Sequence, residues 1–102
     1  MSQAQGQLGE KWTMCLAGPA SIVFWRLVNT SGAVVSVTAG IQDAGGDVRP
    51  IGQADLAGAA SNMPAGGAVD VIDAGGKLTL GTGEKAVAKC TSDQAVSFRV
   101  TE

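Results

Sequence analysis

A chain of 102 residues with a net charge of −2 has room for one domain. Its seven basic residues are scattered singly, so no basic patch is set out for nucleic acid, and no apolar run approaches the roughly 20 residues that span a bilayer. Histidine and tyrosine are absent, which removes the commonest general base and metal ligand and excludes a Ser-His-Asp or Cys-His nucleophile within the chain.

Met1 to Glu10 is polar and Gln-rich, without the basic start and apolar stretch of a secretory signal. It is expected as a flexible N-terminal arm over residues 1–10, ahead of a single domain over 11–102 that is made in the cytosol. Lys11 to Leu16 predicts a first strand with Trp12, Met14 and Leu16 on one face, ended by Gly18-Pro19. Ser21 to Asn29 predicts the strongest strand, apolar on both faces except at Arg26, which suits a central strand or one covered by another subunit. Asn29-Thr30-Ser31-Gly32 predicts a tight turn and Ala33 to Ile41 the returning strand of a hairpin.

After the turn Asp43-Ala44-Gly45-Gly46-Asp47, Val48 to Ile51 predicts a short edge strand, because Pro50 has no N–H for a ladder. Gly52 to Gly67 reads as a long Ala/Gly-rich loop, with at most one helical turn over Ala54 to Ala60. Three or four short alternating strands then follow between Ala68 and Thr101, with no interval long enough for a crossover helix. The expected fold is all-β: one antiparallel β-sandwich, jelly-roll or Ig-like, of about seven or eight short strands.

Few residues carry chemistry. Cys90 shares a face with Ala86 and Ala88 and is expected in the core, whereas Cys15 is expected on the more exposed side of its strand. Two free thiols, an intrachain bridge and an intersubunit cross-link of Cys15 and Cys90 stay open, since connectivity is not deducible from sequence. Two cysteines without histidine make a poor metal site. Asp43, Asp47, Asp70 and Asp73 sit near turns, where Asp serves local hydrogen bonding more often than calcium. The Gly-rich turns lack the helix and the Lys-Ser/Thr pair of a phosphate loop. No enzyme, cofactor or metal is therefore expected. Trp12 and Trp25 are candidates for partner contact or for core.

The segment FWRLVNTSGAVVSVTAG (Phe24 to Gly40), an Ala/Gly-rich middle, Lys77-Leu78-Thr79-Leu80, the turn with Gly83-Glu84, and KAVAKCTSDQAVSFRV (Lys85 to Val100) resemble small virion proteins of tailed bacteriophages. The likeness is one of strands and turns and spans roughly residues 20–101; the strand with Trp12 and Cys15 lies outside it, and paired cysteines are not a family feature. It implies a non-enzymatic virion structural protein made in the host cytoplasm. Its implied role is capsid decoration, or a neck or tail accessory, as a homo-oligomer such as a trimer on the major capsid or other virion proteins. On that reading Trp12, Ile22, Phe24, Trp25 and Val28 are candidates for the subunit interface, and Cys15 and Cys90 for a cross-link. The rival reading is an extracellular adhesion or carbohydrate-binding β-sandwich, against which four aromatic residues and no tyrosine count.

Overall fold

The computed structural model describes residues 3–58, 67–72, 77–93 and 95–102. Among them there is no helix, and so none long and apolar enough to cross a membrane. Ten strands run in the order β1 (Gln3–Gln7), β2 (Thr13–Ala17), β3 (Ala20–Ile22), β4 (Phe24–Asn29), β5 (Val35–Gln42), β6 (Val48–Leu56), β7 (Ala68–Ile72), β8 (Leu78–Leu80), β9 (Lys85–Cys90) and β10 (Val96–Thr101).

Every pairing is antiparallel, and the pairings nest. β1 lies on β10, β2 on β9, β3 on β8, β4 on β7 and β5 on β6, so the chain is one long hairpin with its tip at the Asp43–Asp47 turn. Two more ladders, β10 on β4 and β9 on β5, join its rungs sideways. The result is a first sheet ordered β1-β10-β4-β7, a second ordered β2-β9-β5-β6, and the two-stranded β3-β8.

One buried cluster draws on all three sheets. Large Trp25, Leu27 and Phe98 come from the first sheet, while Ala39, Ala86 and Ala88 come from the second. Pairing large with small side chains lets a chain rich in alanine still fill its interior. Leu8, Ile22 and Leu80 add bulk, as do Val35, Val37, Ile41 and Leu56 of the second sheet.

Five sequence expectations of single segments change, and the described strands number ten in three sheets rather than seven or eight in one sandwich. The segment read as an arm is strand β1 over residues 3–7, and Leu8 behind it is fully buried. Its inward positions are small, which hides the alternation: a Cβ on Gly6 would stand 3.0 Å from the Phe98 ring. In β2 a bulge between Met14 and Leu16 reverses the side-chain parity, leaving Met14 53% exposed and Cys15 only 3%. The strand expected over Ser21 to Asn29 breaks at exposed Val23 into β3 and β4, although β4 is central in its sheet as its apolar character requires.

The fourth change is the largest. β4 and β5 do not form a hairpin; they belong to different sheets. The buried Asn29 side chain holds the crossing. Its Oδ1 accepts from the Ser31 N–H (2.9 Å) and Ser31 Oγ (2.8 Å), closing an Asx turn. Its Nδ2 lies 2.8 Å from the Ala33 carbonyl and 3.0 Å from those of Leu56 and Ala57. One amide thus ties the end of β4 to the start of β5 and the end of β6. Pro50 does fall on an edge strand, but β6 runs on to Leu56, so Ala54 to Leu56 is strand; residues 59–66 of the expected loop lie outside the described residues.

Candidate functional site

The outward face of the first sheet is set by register. One row across its four strands reads Gln5, Arg99, Arg26, Asp70; the next reads Gln7, Ser97, Val28, Ala68. Alternation puts Trp25, Leu27, Phe98 and Val100 inside, and these rows outside. A bulge between Trp25 and Arg26 in the ladder to β7 brings Asp70 opposite Arg26. The Arg26 guanidinium grips that carboxylate with two bonds, Nε to Oδ1 at 2.6 Å and Nη2 to Oδ2 at 3.2 Å. Its central carbon lies 5.3 Å from the centre of the Phe24 ring.

The hydrogen bond to Arg26, aided by its charge, holds the Asp70 carboxyl below its ordinary range, and the same pairing raises Arg26. Both groups are exposed, so this pair orients side chains more than it stabilises the fold. Gln5, Gln7 and Ser97 have no side-chain hydrogen bond within the chain among the described residues. Together with Phe24, Val28 and the two arginines they line an open groove of about 590 Å³.

The outward face of the second sheet carries a different surface. Half-buried Trp12 packs under Lys89, whose ammonium is 4.7 Å from the ring centre, and Met14 stands exposed on the neighbouring strand. Beside them a shallow depression of about 260 Å³ is lined by Glu10, Thr38, Gln53 and Lys89, with Ser36 hydrogen-bonded to Asp55 at its margin. A smaller apolar cleft of about 180 Å³ lies between the edges of β6 and β7, lined by Leu27, Val37, Ile51, Val69 and Val71.

The residues singled out from sequence scatter over this frame. Ile22 and Trp25 are fully buried within the chain's own core, which corrects their placement at a subunit interface: they have no surface to offer a neighbour. Phe24 and Val28 are half-buried and face the groove. Trp12 is half-buried on the opposite surface.

Cys15 and Cys90 are both free thiols buried in the same cluster, so Cys15 is not the exposed residue its parity suggested, and neither sulfur can reach another subunit. Burial pushes the Cys15 thiol up to about 12. The Trp25 indole N–H works weakly against that rise; its contact with the sulfur falls short of hydrogen-bond geometry, since Nε1 has no partner among the described residues. Cys90 donates to the Ser92 carbonyl at 2.9 Å.

Asp43 is a turn residue, its Oδ1 accepting from the N–H groups of Gly45 and Asp47. Asp73 lies outside the described residues. Among the described residues no three His, Cys, Asp or Glu side chains converge as a metal site. The groove was not singled out from sequence because it exists only through register. Its one visible trace is Arg26, a charge inside an otherwise apolar strand. No family model, curated protein or solved structure matches the chain.

Proposed function

We propose that this chain is a non-enzymatic structural protein of a bacteriophage particle, a capsid decoration protein built on a jelly-roll β-sandwich. The observation that supports this reading is the nested strand pairing. A long antiparallel hairpin rolled so that β10 meets β4 and β9 meets β5 gives two four-stranded sheets of jelly-roll order, with β3-β8 as an extra rung at the corner. Jelly rolls recur in viral capsid proteins, as well as in lectins and cupins. Fold alone does not fix function, and the strand-and-turn likeness to tailed-phage virion proteins is what favours the first of these.

Subunit contact falls to Trp12 and Met14 on the outer surface of the second sheet. Trp and Met are enriched at interfaces, and Met14 is one of the large apolar side chains left exposed. The partners are further copies of this chain, in a closed oligomer such as a trimer, and the major capsid protein of the particle. Buried cysteines take no part in that assembly.

Light scattering on a sizing column, with and without reductant, tests the reading. A trimer or other closed oligomer is expected, unchanged by reductant and dissociated by Met14→Glu. A monomer up to about 1 mM that also fails to co-sediment with capsid shells overturns it.

A further inference from the structure

The two large sheets end in four outer strands, β1 and β7 on the first and β2 and β6 on the second. Three of them carry a bulge, and each time the extra residue lies on the outer strand: Cys15 in β2, Ile51 in β6 and Val71 in β7. Bulges twist an edge away from regular pairing and guard it against contact with another sheet. β6 adds Arg49 and Pro50 to that guard, and β7 adds Asp70. β1 carries none of these. It pairs with β10 without a register shift and reads Gln-Ala-Gln-Gly-Gln, with no charge and no proline. We propose that its free edge docks β1 of a second copy of this chain, antiparallel about a two-fold axis at Gln5.

The edge is open and held in place. Outside the ladder to β10, residues 3–7 make no backbone hydrogen bond among the described residues. The N–H and C=O groups that point away from β10 are therefore left for a partner strand. A Cβ on Gly6 would stand 3.0 Å from the Phe98 ring, so the ring seats on the glycine and fixes the register of β1. Fully buried Leu8 anchors the end of the strand, and its N–H donates to the Val96 carbonyl at 2.8 Å. An edge fixed in this way has little left to order on binding.

The self-complementarity of β1 points to a second copy as the occupant. With Gln5 on the axis, Gln5 faces Gln5 and Ala4 faces Gly6. The outward face brings two exposed amides together, each with a donor and an acceptor for the other. The inward face brings small residues together, so nothing bulky meets at the seam. No like charges stand opposite one another, which would oppose pairing. This contact goes beyond the one proposed at Trp12 and Met14, which lies on the face of the second sheet and not on an edge of the first. Five residues make a small interface, so pairing in solution is expected near about 1 mM, and to fill where copies are held side by side at such local concentrations.

The test is oxidative cross-linking of the full chain at about 1 mM, with and without capsid shells. Gln5→Cys is expected to form disulfide dimers about tenfold faster than Thr82→Cys, an exposed control on the β8–β9 turn. Facing Cα atoms of an antiparallel ladder stand about 4.5–5.5 Å apart, within disulfide reach. Gln7→Cys is expected to match the control, because the axis at Gln5 sets it roughly 13 Å from its own copy. The Gln5→Cys rate is expected to persist when Met14→Glu is added, which separates this contact from the one at Trp12 and Met14. Sedimentation of the Met14→Glu chain gives a reading that needs no new cysteine: a dimer that grows in towards about 1 mM and is removed by Gln5→Lys, which sets like charges together on the axis. A Gln5→Cys rate equal to that of Thr82→Cys overturns the proposal. Equal rates for Gln5→Cys and Gln7→Cys overturn the antiparallel register. Loss of the cross-link with Met14→Glu moves the contact to the second sheet and overturns the edge. A Gln5→Cys cross-link formed only to capsid shells gives the edge to a different protein and overturns the second copy.

Discussion

Replacing Asn29 with alanine tests whether one side chain holds the crossing between the two large sheets. Asn29 is fully buried, and its amide serves Ser31 on one side and three carbonyls on the other. The bond to the Leu56 carbonyl is itself buried, so Asn29→Ala strands an acceptor there at a cost of about 1–3 kcal/mol. Nδ2 has two hydrogens for three carbonyls, so the part-buried contacts to Ala33 and Ala57 taken together, and the bond from Ser31, add roughly 0.5–1 kcal/mol each, for a total of about 2–5 kcal/mol. A chain of this length has on the order of 5–15 kcal/mol of stability in all. With a urea slope of about 1.3 kcal/mol/M, the unfolding midpoint should fall by roughly 3 M. Asn29→Asp sharpens the test, because it keeps the acceptor towards Ser31 but aims a carboxylate at carbonyl oxygens. Its carboxyl pKa is then raised in the folded state above the unfolded value near 4. The folded form binds the proton more tightly, so this variant gains stability as pH falls towards 4 and loses it as pH rises through the raised value. A midpoint shift below about 0.5 M for Asn29→Ala, or an Asn29→Asp variant as stable as the parent at pH 7, would refute the reasoning.

Other outcomes follow from the same geometry. Cys15 and Cys90 should resist Ellman's reagent at pH 8 in the folded protein and both react in urea; a fast native phase would contradict their burial. Gly18→Ala would drive a methyl group into the Gly81 carbonyl oxygen and within 2.9 Å of Leu80 Cβ. It should lose about 1–3 kcal/mol by urea titration, and an unchanged midpoint would show that the β2–β3 corner can yield. Asp70→Asn should leave the midpoint at neutral pH nearly unchanged, because its ion pair is exposed. The depressed Asp70 pKa contributes stability above the ordinary carboxylate range that is lost only as pH falls through the folded value. Parent and Asp70→Asn should therefore diverge, if at all, at neutral pH and converge in acid.

The strands themselves were largely legible, because alternation in Val35–Ile41, Lys85–Cys90 and Val96–Val100 is a local property of the chain. Pro50 likewise announced an edge strand, and Cys90 between alanines a core position. Partners were not legible. Asn29-Thr30-Ser31-Gly32 has the composition of a hairpin turn, yet the Asn29 amide is used to lead the chain from one sheet to the other, which requires carbonyls of Leu56 and Ala57 far along the sequence. In β1 the inward residues Ala4 and Gly6 are too small to register as an apolar face, since Phe98 from another strand fills the space above Gly6. The β2 bulge changes parity without leaving a mark in composition. The groove depends on all these at once: Arg26 and Arg99 are 73 positions apart in sequence and become neighbours only through the β4–β10 register.

Strand β10 lies inside the first sheet, between β1 and β4, although it follows every other described strand in the chain. On a translating ribosome β4 can pair with β7 early, but β1 and the other edge of β4 find no partner until residues 96–101 have cleared the exit tunnel. The turn at Asp43–Asp47 can close early, with β5 and β6 zipping from it, but the first sheet is complete only once β10 has joined it. Pairing over such separations also makes assembly slow, in the millisecond-to-second range typical of non-local β topologies. During that interval β1 and β4 have open edges, and a cell producing this protein in quantity must keep those nascent chains apart.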